Sequence, residues 1–299
     1  MNNPFRGCGT ALVTPFAADQ SLDEAAFRRL VRFQIEQGID FLVPCGTTGE
    51  TPTLSPAEHR RVIAMAVEEA ARAPRRVPVL AGAGGNHTAH VIEVAKACAE
   101  AGADGILSVA PYYNKPTQEG LYQHFSAIAA SVQLPVVLYN VPGRTSSNIE
   151  AATVLRLAKS AANIVAVKEA SGNLSQIAHI IAGARDGFEV LSGDDSLALA
   201  IGALGGRGLV SVASNAAPGP LVQLVAAAGS GDFAAARALH YHWLPFLEGI
   251  FLESSPAPIK YVLARMGYCQ EVYRLPMVPI QPATRERLDA VMRGCGLLS

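Results

Sequence analysis

Short β-rich apolar runs recur along the chain, over residues 11–14, 41–44, 77–81, 105–109, 136–139, 164–167, 189–191 and 209–212, and predict eight strands. Between them apolar residues fall at helical spacing, as in Phe27, Leu30 and Val31, then Val62, Ile63, Ala66 and Ala70, then Val91, Ile92, Ala95 and Cys98. Start and stop signals agree with that period. Ser21 with Glu24, Ser55 with Glu58 and Ser147 with Glu150 each fit a capping box, and Pro56 suits a first helical position. Gly38 and Gly102 stand where helices should end.

The strands are uninterrupted apolar runs rather than alternating ones, the pattern of parallel strands covered by helices. Eight strand-helix units predict an α/β fold, a (β/α)8 TIM barrel over residues 1–229. A C-terminal helical region over 230–299 follows, with helices over 233–247, 257–266 and 284–293. The competing doubly wound sheet lacks its fingerprint, because Gly82, Gly84 and Gly85 are followed by Asn86 and His87 instead of the third glycine.

Composition narrows the function class. Of 299 residues 50% are hydrophobic and 16% charged, which excludes a disordered chain. Its 24 basic residues are scattered among 25 acidic ones, for a net charge of -1, with no single-sign patch for nucleic acid or an anionic membrane. The long uncharged stretch over 208–231 carries Ser211, Asn215, Pro218 and Pro220, which argues against a membrane span. Cys8, Cys45, Cys98, Cys269 and Cys295 form no C-x-x-C pair, and residues 1–10 show no secretory signal. Reduced thiols, a cytoplasmic location and small-molecule partners are therefore expected.

In such a barrel the chemistry lies at the carboxyl ends of the strands. Only five of the 24 basic residues are lysines, and Lys96, Lys115, Lys159 and Lys260 read as solvated ammonium groups on helices or loops. Lys168 directly follows Ile164-Val165-Ala166-Val167, so its stem starts at the barrel mouth, where desolvation would free the amine as a nucleophile. A lysine paired with Glu169 or another carboxylate at the rim is the plain alternative. A nucleophilic lysine forms a Schiff base with a ketone, and Tyr139, ending the neighbouring strand, offers a phenol to move protons, unless it merely caps the core. Thr47 and Thr48, between Gly46 and Gly49, could relay a proton and bind a substrate carboxylate. Arg144, in a Pro-Gly-Arg-Thr turn, offers a planar fork for a second carboxylate, or is a surface arginine. Asp194 and Asp195 read as a helix cap rather than metal ligands, and the seven histidines show no ligand spacing except His240 and His242, which diverge on a helix. Neither a metal nor an organic cofactor is expected.

Five motifs occur in order: Gly46-Thr47-Thr48-Gly49-Glu50, Tyr112-Tyr113-Asn114-Lys115-Pro116, Tyr139-Asn140-Val141-Pro142-Gly143-Arg144-Thr145, Lys168-Glu169-Ala170-Ser171-Gly172 and Gly193-Asp194-Asp195. Together they resemble the dihydrodipicolinate synthase family of the pyruvate-dependent class I aldolases, over nearly the whole chain. That resemblance implies a lyase in which Lys168 forms a Schiff base with pyruvate, and Tyr139, Thr47 and Tyr113 relay protons, Tyr113 coming from a neighbouring subunit. It further implies that Thr48, Gly193 and the backbone at Val210 hold pyruvate and that Arg144 meets the carboxylate of L-aspartate 4-semialdehyde. The implied product is 4-hydroxy-tetrahydrodipicolinate, on the diaminopimelate route to lysine, and the implied assembly is a homotetramer. N-acetylneuraminate lyase and the 2-keto-3-deoxy sugar-acid aldolases resemble the same barrel but generally lack this arginine. A keto-acid-binding sensor is the non-enzymatic alternative. Lysine-sensitive members place an effector site at positions matching His59, Asn86, His90 and Tyr112. Some carry an acid where His90 stands, so weak or absent lysine inhibition is expected.

Overall fold

A computed structural model describes residues 3–298; Met1 and Asn2, read as part of the N-terminal segment, and Ser299, read as part of the C-terminal region, lie outside the described residues. The eight strands are β1 Gly7–Ala11, β2 Phe41–Val43, β3 Leu80–Gly82, β4 Gly105–Val109, β5 Val136–Asn140, β6 Ile164–Glu169, β7 Glu189–Ser192 and β8 Gly208–Ser211. They are parallel in the order β2-β1-β8-β7-β6-β5-β4-β3, and a bridge between Leu42 and Val79 closes the ring. The helices are α1 Glu24–Glu36, α2 Pro56–Arg72, α3 Thr88–Glu100, α4 Gln118–Ser131, α5 Pro142–Thr145, α6 Ala151–Ser160, α7 Leu174–Gly183, α8 Ala198–Leu204 and α9 Pro218–Ser230. Beyond the barrel follow α10 Phe233–Gly249, α11 Ala257–Arg265 and α12 Pro282–Gly294. Among the described residues no helix is long and apolar enough to cross a membrane.

Each strand is covered on both faces, which is why the runs do not alternate in polarity. Phe41, Val43, Leu80, Leu107, Val137, Leu191 and Val210 fill the barrel interior. Their chain neighbours, among them Leu42, Ala81, Ile106, Val136, Leu138 and Leu209, pack outward under the helices. β6 breaks this period once. Opposite it, Val136 pairs with Ile164 but Val137 pairs with Ala166, so Val165 is an extra residue in a bulge. Val165 and Ala166 both join the inner cluster while Val167 turns out, and the alternation downstream is reset. Lys168 then faces in and Glu169 faces out.

Four expectations need correction. β1 begins at Gly7 rather than residue 11, because its glycines hide the strand: a Cβ on Gly9 would come within 2.1 Å of the Phe41 ring. Ser55 and Glu58 do form a reciprocal capping box with Pro56 at the first turn, but α1 is capped by Asp23, since Ser21 bonds Asp19 instead. Ser147 caps nothing; α6 starts three residues further on, with Glu150 at its N-cap. Lys260 is not solvated. It is completely buried, with Nζ 2.6 Å from Glu50 Oε1 and 2.7 Å from the Val272 carbonyl oxygen.

Candidate active site

The mouth at the carboxyl ends of the strands holds a cavity of about 180 Å³ lined by Thr47, Thr48, Tyr139, Arg144, Lys168 and Gly193. Six residues singled out in the sequence therefore meet in one place. A larger cavity of about 740 Å³ lies at the opposite end, against Arg6, Asp40, Glu189 and Arg207, away from all of them.

Lys168 is 6% exposed and stands beside Tyr139 as a register partner across β5 and β6. Its Nζ lies 4.0 Å from the centroid of the Tyr139 ring, so amine and phenol share one wall of the cavity. The bulge in β6 produces this aim; without the extra residue Lys168 would point outward at the helices. Gly193 leaves room for the stem, since a Cβ there would sit 2.9 Å from Lys168 Cε.

Glu169 does not partner the lysine. It is buried on the outer face, where its carboxylate accepts from Asn140 Nδ2 at 2.7 Å, Gln176 Nε2 at 2.9 Å, Ser171 Oγ at 2.6 Å and Ser171 N at 3.1 Å. Asn140 also bonds Asn148 at 2.8 Å, so this polar cluster ties the ends of β5 and β6 together directly behind Tyr139 and Lys168. The adjacent acidic pair divides its roles. Asp194 caps the turn over Asp195–Leu197 through Ser196 N, as expected, and lines the cavity. Asp195 is no cap: wholly buried, its carboxylate accepts from Ser211 Oγ, from Val212 N at 2.9 Å and from Ala213 N at 3.4 Å. Burial pushes its acid up to about 6, against the lowering effect of those donors. It braces Val212, which lines the cavity, whereas Val210 sits two residues deeper in the inner layer.

Thr48 is buried and Thr47 and Arg144 are exposed at the rim. Thr47, Tyr139 and Arg144 also line a wider groove of about 510 Å³ that runs past Asn86, His90 and Tyr112. His59 and His90 share a further cavity of about 290 Å³ with Glu93, which stands 3.7 Å from the His90 ring. His59 Nε2, as its N–H tautomer, donates to the Gly82 carbonyl oxygen at 2.9 Å, and burial holds its basicity down. Asn86 Nδ2 bonds the Tyr112 carbonyl at 3.3 Å. Tyr113 is apart from the cavity: it is 89% exposed, at φ 71°. Phe251 and Ser255, from the segment between α10 and α11, also line the Lys168 cavity. Nothing in the local sequence marks them, because a Ser-Ser-Pro turn after a helix carries no chemical pattern.

The same whole-chain pattern is found in known proteins. A family model described as the dihydrodipicolinate synthetase family matches residues 4–294. The 4-hydroxy-tetrahydrodipicolinate synthase of Koribacter versatilis is 58% identical, over 98% of this chain and 97% of its own. The structure of dihydrodipicolinate synthase from Aquifex aeolicus matches with a TM-score of 0.95 at 42% identity, covering 98% of this chain and 99% of that one. Chloride-inhibited dihydrodipicolinate synthase from Acinetobacter baumannii, solved in complex with pyruvate, matches with a TM-score of 0.95 at 40% identity, covering 98% and 99%. Because the likeness takes in the barrel, its mouth and the C-terminal helices without a break, the chain belongs to the dihydrodipicolinate synthetase family.

Proposed function

We propose that the chain is a Schiff-base lyase that condenses pyruvate with L-aspartate 4-semialdehyde, the activity of a 4-hydroxy-tetrahydrodipicolinate synthase. The observation that carries this reading is the inward-facing Lys168 amine 4.0 Å over Tyr139, in a cavity shared with Thr47, Thr48 and Arg144. Nζ attacks the ketone carbon of pyruvate, and the resulting alcohol leaves as water to give the imine. Tyr139 moves those protons, with Thr47 and Tyr113 completing the relay. Loss of a methyl proton gives the enamine, whose carbon attacks the aldehyde of the second substrate while the Arg144 guanidinium holds its carboxylate. The substrate's own amine then displaces Lys168, closing the ring and freeing the lysine; one water is released overall. Thr48, Gly193 and the Val210 backbone bind the pyruvate carboxylate end.

Residues 1–229 form the catalytic barrel and 230–299 the C-terminal region, which lends Phe251 and Ser255 to the cavity. The exposure of Tyr113 supports its transfer to a neighbouring subunit, which requires at least a dimer, and the family resemblance extends this to a homotetramer. The enzyme is cytoplasmic and works without metal or organic cofactor. Weak or absent lysine inhibition follows from His90, whose ring carries no negative charge for an effector ammonium. Turnover assays test the reading. Aspartate semialdehyde should be consumed with pyruvate and N-acetylneuraminate should not be cleaved; the reverse preference would move the chain to the sugar-acid aldolases.

A further inference from the structure

The loop that carries Thr47 and Thr48 is held in an unfavourable shape. The residues at its two ends, Cys45 at φ 57° and Glu50 at φ 53°, are non-glycines in the left-handed region. Such a conformation persists only where surrounding contacts over-determine it. Glu50 supplies one of these. Its carboxylate reaches across 210 residues of sequence to Lys260 Nζ at 2.6 Å, with both side chains buried. Lys260 stands on α11, just after Ser255, so one ion pair joins the Thr47–Thr48 loop to the segment that brings Phe251 and Ser255 to the cavity.

Two details argue against a pair kept for stability alone. Burial lowers the basicity of the Lys260 amine, and Glu50 Oε2 is left buried without a partner, so the pair carries a desolvation cost that an apolar contact of the same volume would avoid. Yet its geometry is closely specified. Lys260 Nζ also donates to the Val272 carbonyl at 2.7 Å and sits 4.3 Å over the Phe16 ring.

We propose that Glu50 and Lys260 are a positioning pair that holds the Thr47–Thr48 loop and the Ser255 segment in register around Lys168. The inference rests on the Schiff-base reading. Neither residue touches the reacting atoms; together they set the distance between the loop and that segment, and so the fit of pyruvate.

The test compares Glu50→Gln, Lys260→Met and the double variant with the unmodified full-length chain, using borohydride trapping of pyruvate across a pyruvate titration alongside thermal melting. The single variants strand one buried charge, whereas the double variant removes both and recovers most of the melting temperature. Leu157→Ala, which opens the buried core under α6 on the side of the barrel opposite β2, serves as a destabilised control. The expected result is at least a tenfold rise in half-saturating pyruvate in all three pair variants, the recovered double included, with trapping on Lys168 still complete at saturation and no such rise in the control. Half-saturation within twofold of the unmodified chain in the double variant would overturn the inference and make the pair a structural one. Absence of any adduct in the unmodified chain would instead refute the Schiff-base reading, and the inference with it.

Discussion

Asp195→Asn should change how stability depends on pH, and the size of the change follows from where the carboxyl sits. Asp195 is wholly buried between the ends of β7 and β8, and burial pushes it from 3.8 up to about 6. The folded chain thus binds this proton more tightly than the unfolded chain does. The contribution to stability is fully present below 3.8 and is lost as pH rises through about 6. At roughly 1.4 kcal/mol per pH unit of separation the whole effect is about 3 kcal/mol, of which about 2 kcal/mol falls between pH 4.5 and 7.5. Asparagine keeps an acceptor for Val212 N and Ala213 N and turns its amide to Ser211 Oγ, but has no proton to lose in this range. Relative to the unmodified chain, Asp195→Asn should therefore gain about 2 kcal/mol, or about 3 °C in Tm, as pH is raised over that interval. Thermal melts of both chains at matched concentration and ionic strength measure the difference directly. A difference that stays flat across the interval, or runs the other way, would show that Asp195 is ionised at low pH in the folded chain and refute the reasoning.

Tyr139→Phe keeps the ring beside the Lys168 amine but removes the hydroxyl, so kcat should fall about 10²–10⁴-fold while the pyruvate adduct still forms to full stoichiometry; turnover within tenfold of the unmodified chain would exclude the phenol as proton carrier. Arg144→Ala should raise KM for the semialdehyde about 10–100-fold, the worth of a charge-assisted bond, and leave half-saturating pyruvate unchanged. Equal effects on both substrates would place the guanidinium elsewhere. His124, buried beside Thr88, is held down to about 4 by burial, so stability present above the ordinary 6.5 is lost as pH falls towards 4. His124→Gln should flatten that acid limb in melts between pH 7 and 4.5, and an unaltered limb would count against it.

The barrel was legible because each strand, buried on two faces, writes an apolar run between helical periods, and because five strand ends carry polar residues that a core would not hold. Lys168, Tyr139, Thr47, Thr48 and Arg144 were found this way, Gly193 only through the family resemblance, and all six line one cavity. What made Lys168 face inward was not legible. An uninterrupted Ile164-Val165-Ala166-Val167 shows no alternation, so the bulge that resets the side chains leaves no trace in the sequence. The glycines of β1 likewise hid the strand, since room for the Phe41 ring is a tertiary requirement. Lys260 was misread for the same kind of reason: its partner Glu50 lies 210 residues away, and local context shows only a lysine on a helix. Phe251 and Ser255 reach the cavity only because the C-terminal region folds back over the mouth.

The central claim is that Lys168 is the nucleophile, and borohydride reduction in the presence of pyruvate followed by peptide mass spectrometry tests it most directly. A reduced pyruvyl adduct on the peptide containing Lys168, absent in Lys168→Ala, is the predicted result. No adduct, or one carried by another lysine, would contradict it.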